Sequence, residues 1–108
     1  MLLLASKLAF SAMVEVPAFT ARVIDLTQTL SPSEQAAFEA KLKSFEETKG
    51  SQIAVLIVPT TRPEEIEQYA IRVVEAWKVG REKVDDGVLL LIAKEDRKVR
   101  IEVGYGLE

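Results

Sequence analysis

Asp85-Asp86-Gly87-Val88-Leu89-Leu90-Leu91-Ile92-Ala93 runs into Lys94-Glu95-Asp96-Arg97-Lys98 and then into Val99-Arg100-Ile101-Glu102-Val103-Gly104-Tyr105-Gly106-Leu107-Glu108. An apolar run, a short polar turn and an alternating run predict a β-hairpin. Pairing Ala93 with Val99 sets Val88 opposite Gly104. The acidic pair that opens one strand then faces the Gly-Tyr-Gly-Leu-Glu that ends the other. Asp85, Asp86 and Glu108 are thereby expected at one end of a sheet. Val99, Ile101 and Val103 alternate with Arg100 and Glu102, which gives the second strand a wetter face than the first.

Upstream, the pattern alternates between strand and helix. Arg22-Val23-Ile24-Asp25-Leu26 is β-branched and reads as a short strand. Ser31-Pro32-Ser33-Glu34 carries a helix start: a capping Ser, Pro at the first helical position and the Glu of a capping box. The helix is expected to reach Lys49 with Ala37, Phe38, Leu42 and Phe45 as its apolar stripe, and Gly50 ends it. Gln52 to Val58 is almost wholly apolar, as in a strand covered on both faces. Pro63-Glu64-Glu65 is expected to open a second helix, with acid favourable to its dipole. Ile66, Tyr69, Ala70, Val73 and Trp77 form its core stripe, and Gly80 closes it. The order is β-α-β-α-β-β. Strand 52–58, helix 63–79 and strand 88–93 make a right-handed βαβ unit with parallel strands, so the sheet of about four strands is mixed.

Composition narrows the chemistry. The chain has 108 residues, 48% of them hydrophobic and 29% charged, with a net charge of -3. These values fit one globular α/β domain. No basic stripe stands out, which argues against nucleic acid as a partner. The absence of cysteine removes disulfides, thiolate nucleophiles and cysteine-ligated zinc. The absence of histidine removes Ser-His-Asp triads, histidine bases and His-ligated metals. What remains is carboxylates, hydroxyls, Lys, Arg or a hard, oxygen-ligated cation such as Ca²⁺ or Mg²⁺.

Met1 to Met13 is apolar but too short to span a bilayer, which takes about 20 residues. It resembles a signal-peptide core running into small residues at Ser11-Ala12, although Lys7 interrupts it and no basic segment precedes it. Residues 1–16 are expected to be a signal remnant or a disordered tail, and 17–108 the domain.

Asp85-Asp86-Gly87 is either a turn, which Asp and Gly suit, or part of a carboxylate cluster with Glu108. Asp25 joins that cluster if the first strand runs antiparallel to 88–93. Like charges held together call for a cation or a shared proton, though no EF-hand spacing is present. Gly104-Tyr105-Gly106 is a weak dinucleotide signal. Its glycines are better read as letting the backbone approach the acidic loop, with Tyr105 either packed or lining the site. Thr60-Thr61-Arg62 ends the buried strand and leads to a helix N-terminus, a place where anions bind, but plain capping is the simpler reading. Lys94 to Lys98 reads as a solvated turn.

These segments together resemble the TPM-domain family. That family includes a thylakoid-lumen acid-phosphatase-like protein and many bacterial exported or membrane-anchored proteins. The resemblance rests on Val23-Ile24-Asp25 with Leu30-Ser31, Gly50 to Val55, Tyr69-Ala70, and Glu75 to Gly80. It is carried most strongly by Asp85 to Leu91 and Arg100 to Glu108. It implies a three-layer, Rossmann-like α/β/α sandwich and an exported, periplasmic or membrane-associated protein. It further implies an acidic Ca²⁺ or Mg²⁺ site at Asp25, Asp85, Asp86 and Glu108, walled by Gly104, Tyr105 and Gly106. The function expected is binding or assembly in membrane-protein maintenance, with membrane proteins or a membrane-anchored complex as partners. The alternative is a metal-assisted acid phosphatase acting on phosphomonoesters. Family domains continue past the Gly-Tyr-Gly-Leu-Glu with further helices that cover the sheet, so the segment is expected to be a C-terminally truncated domain. It contains no transmembrane helix.

Overall fold

A computed structural model describes residues 13–80 and 86–104. The elements are β1 (Val23–Asp25), α1 (Pro32–Lys49), β2 (Ser51–Val58), α2 (Ile66–Trp77), β3 (Asp86–Ala93) and β4 (Lys98–Val103). The sheet has the order β1-β2-β3-β4. The first three strands are parallel and β4 is antiparallel to β3. The expected βαβ unit and mixed sheet are therefore present.

The period-2 alternation of β2 and β3 divides the sheet into two faces. Ala54, Leu56 and Val58 of β2 and Leu89, Leu91 and Ala93 of β3 are fully buried in one cluster with Ile66, Tyr69, Ala70, Val73, Val74 and Trp77 of α2. The apolar stripe of α2 covers this face. On the other face α1 packs against β1 and β2. Val23 and Ile57 are buried outside the α2 cluster. Helix, sheet and helix make three layers.

Local signals set most of the boundaries. Ser31 caps α1 with the reciprocal Glu34 contact of a capping box, and Gly50 ends it at φ 82. The stripe of α1 departs from expectation. No residue of α1 is buried, and Phe38 and Phe45 are 48% and 39% exposed. Polar contacts also tie this helix to β1. Arg22 pairs with Glu39 at 3.1 Å and Glu46 at 2.9 Å, and Gln35 donates to the Val23 carbonyl. Part-exposed ion pairs of this kind contribute about 0.2–1 kcal/mol each, so α1 is held far less firmly than α2.

Helix α2 starts later than Pro63. Its N-cap is Glu65, without a side-chain cap, and it ends at Lys78 in the left-handed region. Glu64 instead turns inward, where Arg72 meets it at 2.8 Å. The packed body also begins ahead of Pro17, because Val14 and Val16 pack against the core. The polar tips of α2 hold this lead-in. Tyr69 Oη donates to the Glu15 carbonyl, Arg72 to that of Val14 and Trp77 Nε1 to that of Pro17. Phe19 stacks on Trp77 with ring centroids 4.5 Å apart. Buried Tyr and Trp need such partners for their polar ends.

The hairpin register differs by one residue from expectation. Ala93 pairs with Lys98 and Val88 with Val103, because Arg97 at φ 55 closes the turn one residue earlier. A one-residue slip exchanges the faces of every side chain. Val99, Ile101 and Val103 now lie opposite Ile92, Leu90 and Val88, on the face away from α2. They are 63%, 61% and 42% exposed.

The α2 face carries the stability. Leu89→Ala or Leu91→Ala should each cost about 2–5 kcal/mol in urea unfolding. Ile101→Ala should cost well under that, since the side chain is mostly in solvent.

Candidate functional site

Parallel pairing decides which carboxylates meet. Asp25 pairs with Ile57 at the carboxyl end of the parallel strands, while Asp86 pairs with Ser51 at the amino end. Six residues of β2 separate these positions, about 20 Å at about 3.3 Å per residue. The antiparallel orientation that would unite Asp25 with the acidic loop is not adopted, so Asp25 leaves the proposed cluster.

Asp25 also has a structural task of its own. Its Oδ1 accepts from the Thr27 N–H at 2.9 Å and the Thr27 hydroxyl at 2.7 Å. Its Oδ2 accepts from the Leu30 N–H at 2.7 Å. This clamp shapes the turn that delivers Ser31 to the start of α1. Burial alone pushes the Asp25 carboxyl up, but the hydrogen bonds from Thr27, Leu30 and Thr29 outweigh it and hold the group below its ordinary value.

At the opposite end, three glycines from three segments meet. The Gly104 N–H donates to the Gly87 carbonyl at 2.7 Å. A Cβ on Gly87 would lie 2.6 Å from the Gly80 nitrogen, and one on Gly104 would collide with the Val79 carbonyl. Only backbone fits between these chains. Gln52 accepts from the Gly80 N–H at 3.0 Å and ties the tail of α2 to the start of β2. Asp86 immediately precedes Gly87 in this knot. Asp85, Tyr105, Gly106 and Glu108 lie outside the described residues. Among the described residues, no group of three carboxylates is placed to hold a metal ion.

A second polar centre sits at the carboxyl end of the strands. Thr60 Oγ1 lies 2.8 and 2.9 Å from the two oxygens of Asp96, and the Thr61 N–H donates to Oδ2 at 3.1 Å. Arg62 Nε lies 3.0 Å from Oδ1, and only 4% of the Asp96 side chain is exposed. The anion suggested for Thr60-Thr61-Arg62 is thus the protein's own Asp96. The turn Lys94 to Lys98 is not merely solvated, because it bolts the hairpin to the β2–α2 loop. The Thr61 N–H is the main cause holding the Asp96 carboxyl below its ordinary value, against desolvation and with help from Thr60, Arg62 and Lys98. Within the turn sequence, Asp96 gave no signal, because its partners are over thirty residues upstream.

A broad cavity of about 880 Å³ lies between Asp25, the 28–31 turn and the first turns of α1. Three carboxylates line it, Asp25, Glu34 and Glu39, and each is engaged by the protein itself: Asp25 by the turn, Glu34 by the Ser31 N–H and Glu39 by Arg22 and the Val23 N–H.

The TPM domain model matches residues 23–108. Two solved structures are similar. One is the N-terminal domain of a protein from P. gingivalis, 31% identical, covering 86% of this chain and 62% of the other, with a TM-score of 0.73. The second, the N-terminal domain of a Corynebacterium glutamicum protein, is 18% identical over 92% of this chain and 64% of the other, with a TM-score of 0.69. The second likeness shows the fold alone. The chain spans less than two thirds of either structure. No curated protein matches.

Both depressed carboxyls act in the same direction with pH. Each contributes stability that is present above its unfolded pKa near 4 and is lost as pH falls through the lower folded value. Acid unfolding should therefore steepen below about pH 4. Asp25→Asn and Asp96→Asn should each lower the melting temperature at pH 7 and flatten its dependence on acid. An unchanged acid limb in both variants would remove the clamp assignment.

Proposed function

This chain belongs to the TPM-domain family, and on that premise we propose that it is an extracytoplasmic binding or assembly module with a cation site at the glycine knot. The observation that carries this reading is the convergence of Gly80, Gly87 and Gly104 beside Asp86. The Asp85-Asp86 pair enters the knot, and the chain leaves it toward Glu108 four residues after Gly104. An oxygen-only donor set of this kind suits Ca²⁺ or Mg²⁺. The proposed ligands are Asp85, Asp86 and Glu108, with Tyr105 and Gly106 as the wall. Asp25 has no part in it.

The apolar lead-in Met1 to Met13 supports export, and the domain would then act at or near a membrane on membrane proteins. No helix among the described residues is long and apolar enough to cross a bilayer. A bound cation would offset the mutual repulsion of the carboxylates and tie the segment before β3 to the segment after β4.

Millimolar Ca²⁺ or Mg²⁺ should raise the melting temperature. A cation that binds only the folded state adds about 2.7 kcal/mol at a hundredfold excess over Kd. Asp86→Asn should blunt the rise and Asp25→Asn should leave it intact. If neither cation moves the melting curve, the site is a structural turn. Hydrolysis of a generic phosphomonoester that stops on chelation would turn the reading to a phosphatase, with the cation polarising the phosphoryl oxygen.

A further inference from the structure

Gln52 reaches both Gly80 and Gly87 at the glycine junction. Its backbone pairs with Gly87 in the β2–β3 ladder. Its side-chain oxygen accepts from the Gly80 N–H at 3.0 Å. Gly80 and Gly87 are both buried, and a Cβ on Gly80 would stand 2.7 Å from the Gly87 nitrogen. A buried N–H without an acceptor is costly. Gln52 thus decides whether the chain leaving α2 can lie against β3.

A second hold comes from the lead-in over residues 14–19. Trp77 ends α2, and two residues later Val79 presents the carbonyl that Gly104 approaches. Trp77 is fixed from outside its helix. Its Nε1 donates to the Pro17 carbonyl at 2.7 Å, and its ring stacks on Phe19 at 4.5 Å and 4°. Phe19 and Gln52 line one small depression. The lead-in therefore lies beside both elements that hold Gly80.

We propose that Gln52 and Phe19 are positioning residues for this junction, and that docking of the lead-in sets how firmly Gly80 meets Gly87 and Gly104. Gln52 acts on Gly80 directly; Phe19 acts through Trp77 and the end of α2. Resting on the reading of the junction as a cation site, the consequence is regulation. Asp86 is carried by Gly87, so lead-in docking and cation binding strengthen each other by the same factor.

Amide hydrogen exchange without added cation tests the positioning. In Gln52→Met and in Phe19→Leu, Gly80 and Gly104 should exchange about tenfold faster relative to Leu91, the equivalent of one lost hydrogen bond. Gln52→Glu keeps an acceptor for Gly80 and Phe19→Tyr keeps the stack, so both should restore the parent ratio. A Gly104 rate that keeps pace with Leu91 in Gln52→Met and Phe19→Leu overturns the proposal. So does failure of both conservative variants to restore the ratio while circular dichroism shows them folded. Calorimetric titration with Ca²⁺ or Mg²⁺ tests the linkage, and Phe19→Leu should bind about tenfold more weakly than the parent. Equal affinity in the two overturns the linkage. A parent chain that binds neither cation, with exchange ratios that move as expected, overturns the cation reading and the linkage with it, while the positioning by Gln52 and Phe19 stands.

Discussion

The alignment of β2 with β3, Ser51 beside Asp86 through to Val58 beside Ala93, is the constraint on which the other features depend. Once these strands run parallel, Ala54, Leu56, Val58, Leu89, Leu91 and Ala93 must share a face. That face buries only if α2 crosses over it. Apolar burial at about 25 cal/mol per Å² makes this layer the main source of stability, while α1 on the other side has no buried residue. The molecule is therefore asymmetric in energy. One layer is dry and closely packed; the other is attached with much help from polar contacts around Arg22.

The same alignment gives the sheet two chemically different ends. At the carboxyl end the carboxylates are already satisfied. Asp25 holds the turn before α1, and Asp96 holds the loop after β2. Backbone N–H groups and hydroxyls answer their charge, so both work as fasteners. At the amino end the contact is made by backbone, with glycine at each closest approach. No side chain fits at this junction, and Asp86 stands directly before it in the chain.

Elements whose signals are local were legible in the sequence. The capping box at Ser31, the stop at Gly50, the stripe of α2 and the βαβ order all depend on residues within a few positions of each other. What was not legible depends on distant partners or on a single backbone angle. The direction of β1 relative to β3 is decided by the chain's path through α1, so the composition of Val23-Ile24-Asp25 carries no trace of it. The role of Asp96 is set by Thr60 and Thr61, far upstream. The hairpin slip follows from Arg97 at φ 55, a conformation that a non-glycine residue does not advertise.

That slip has the widest consequence for how the surface is used. In the expected register, Val99, Ile101 and Val103 would share the face of Leu89 and Leu91, next to α2, and Arg100 and Glu102 would point away from it. In the observed register the charged residues are the half-covered ones and the aliphatic row is open. Side chains as large as Ile and Val on the exposed side of an edge strand are a liability that natural sheets usually blunt with charge. Here the charge lies on the opposite face of the strand, the one that α2 covers. The register therefore decides which side chains of β4 meet the α2 layer, and the left-handed Arg97 in the turn decides the register.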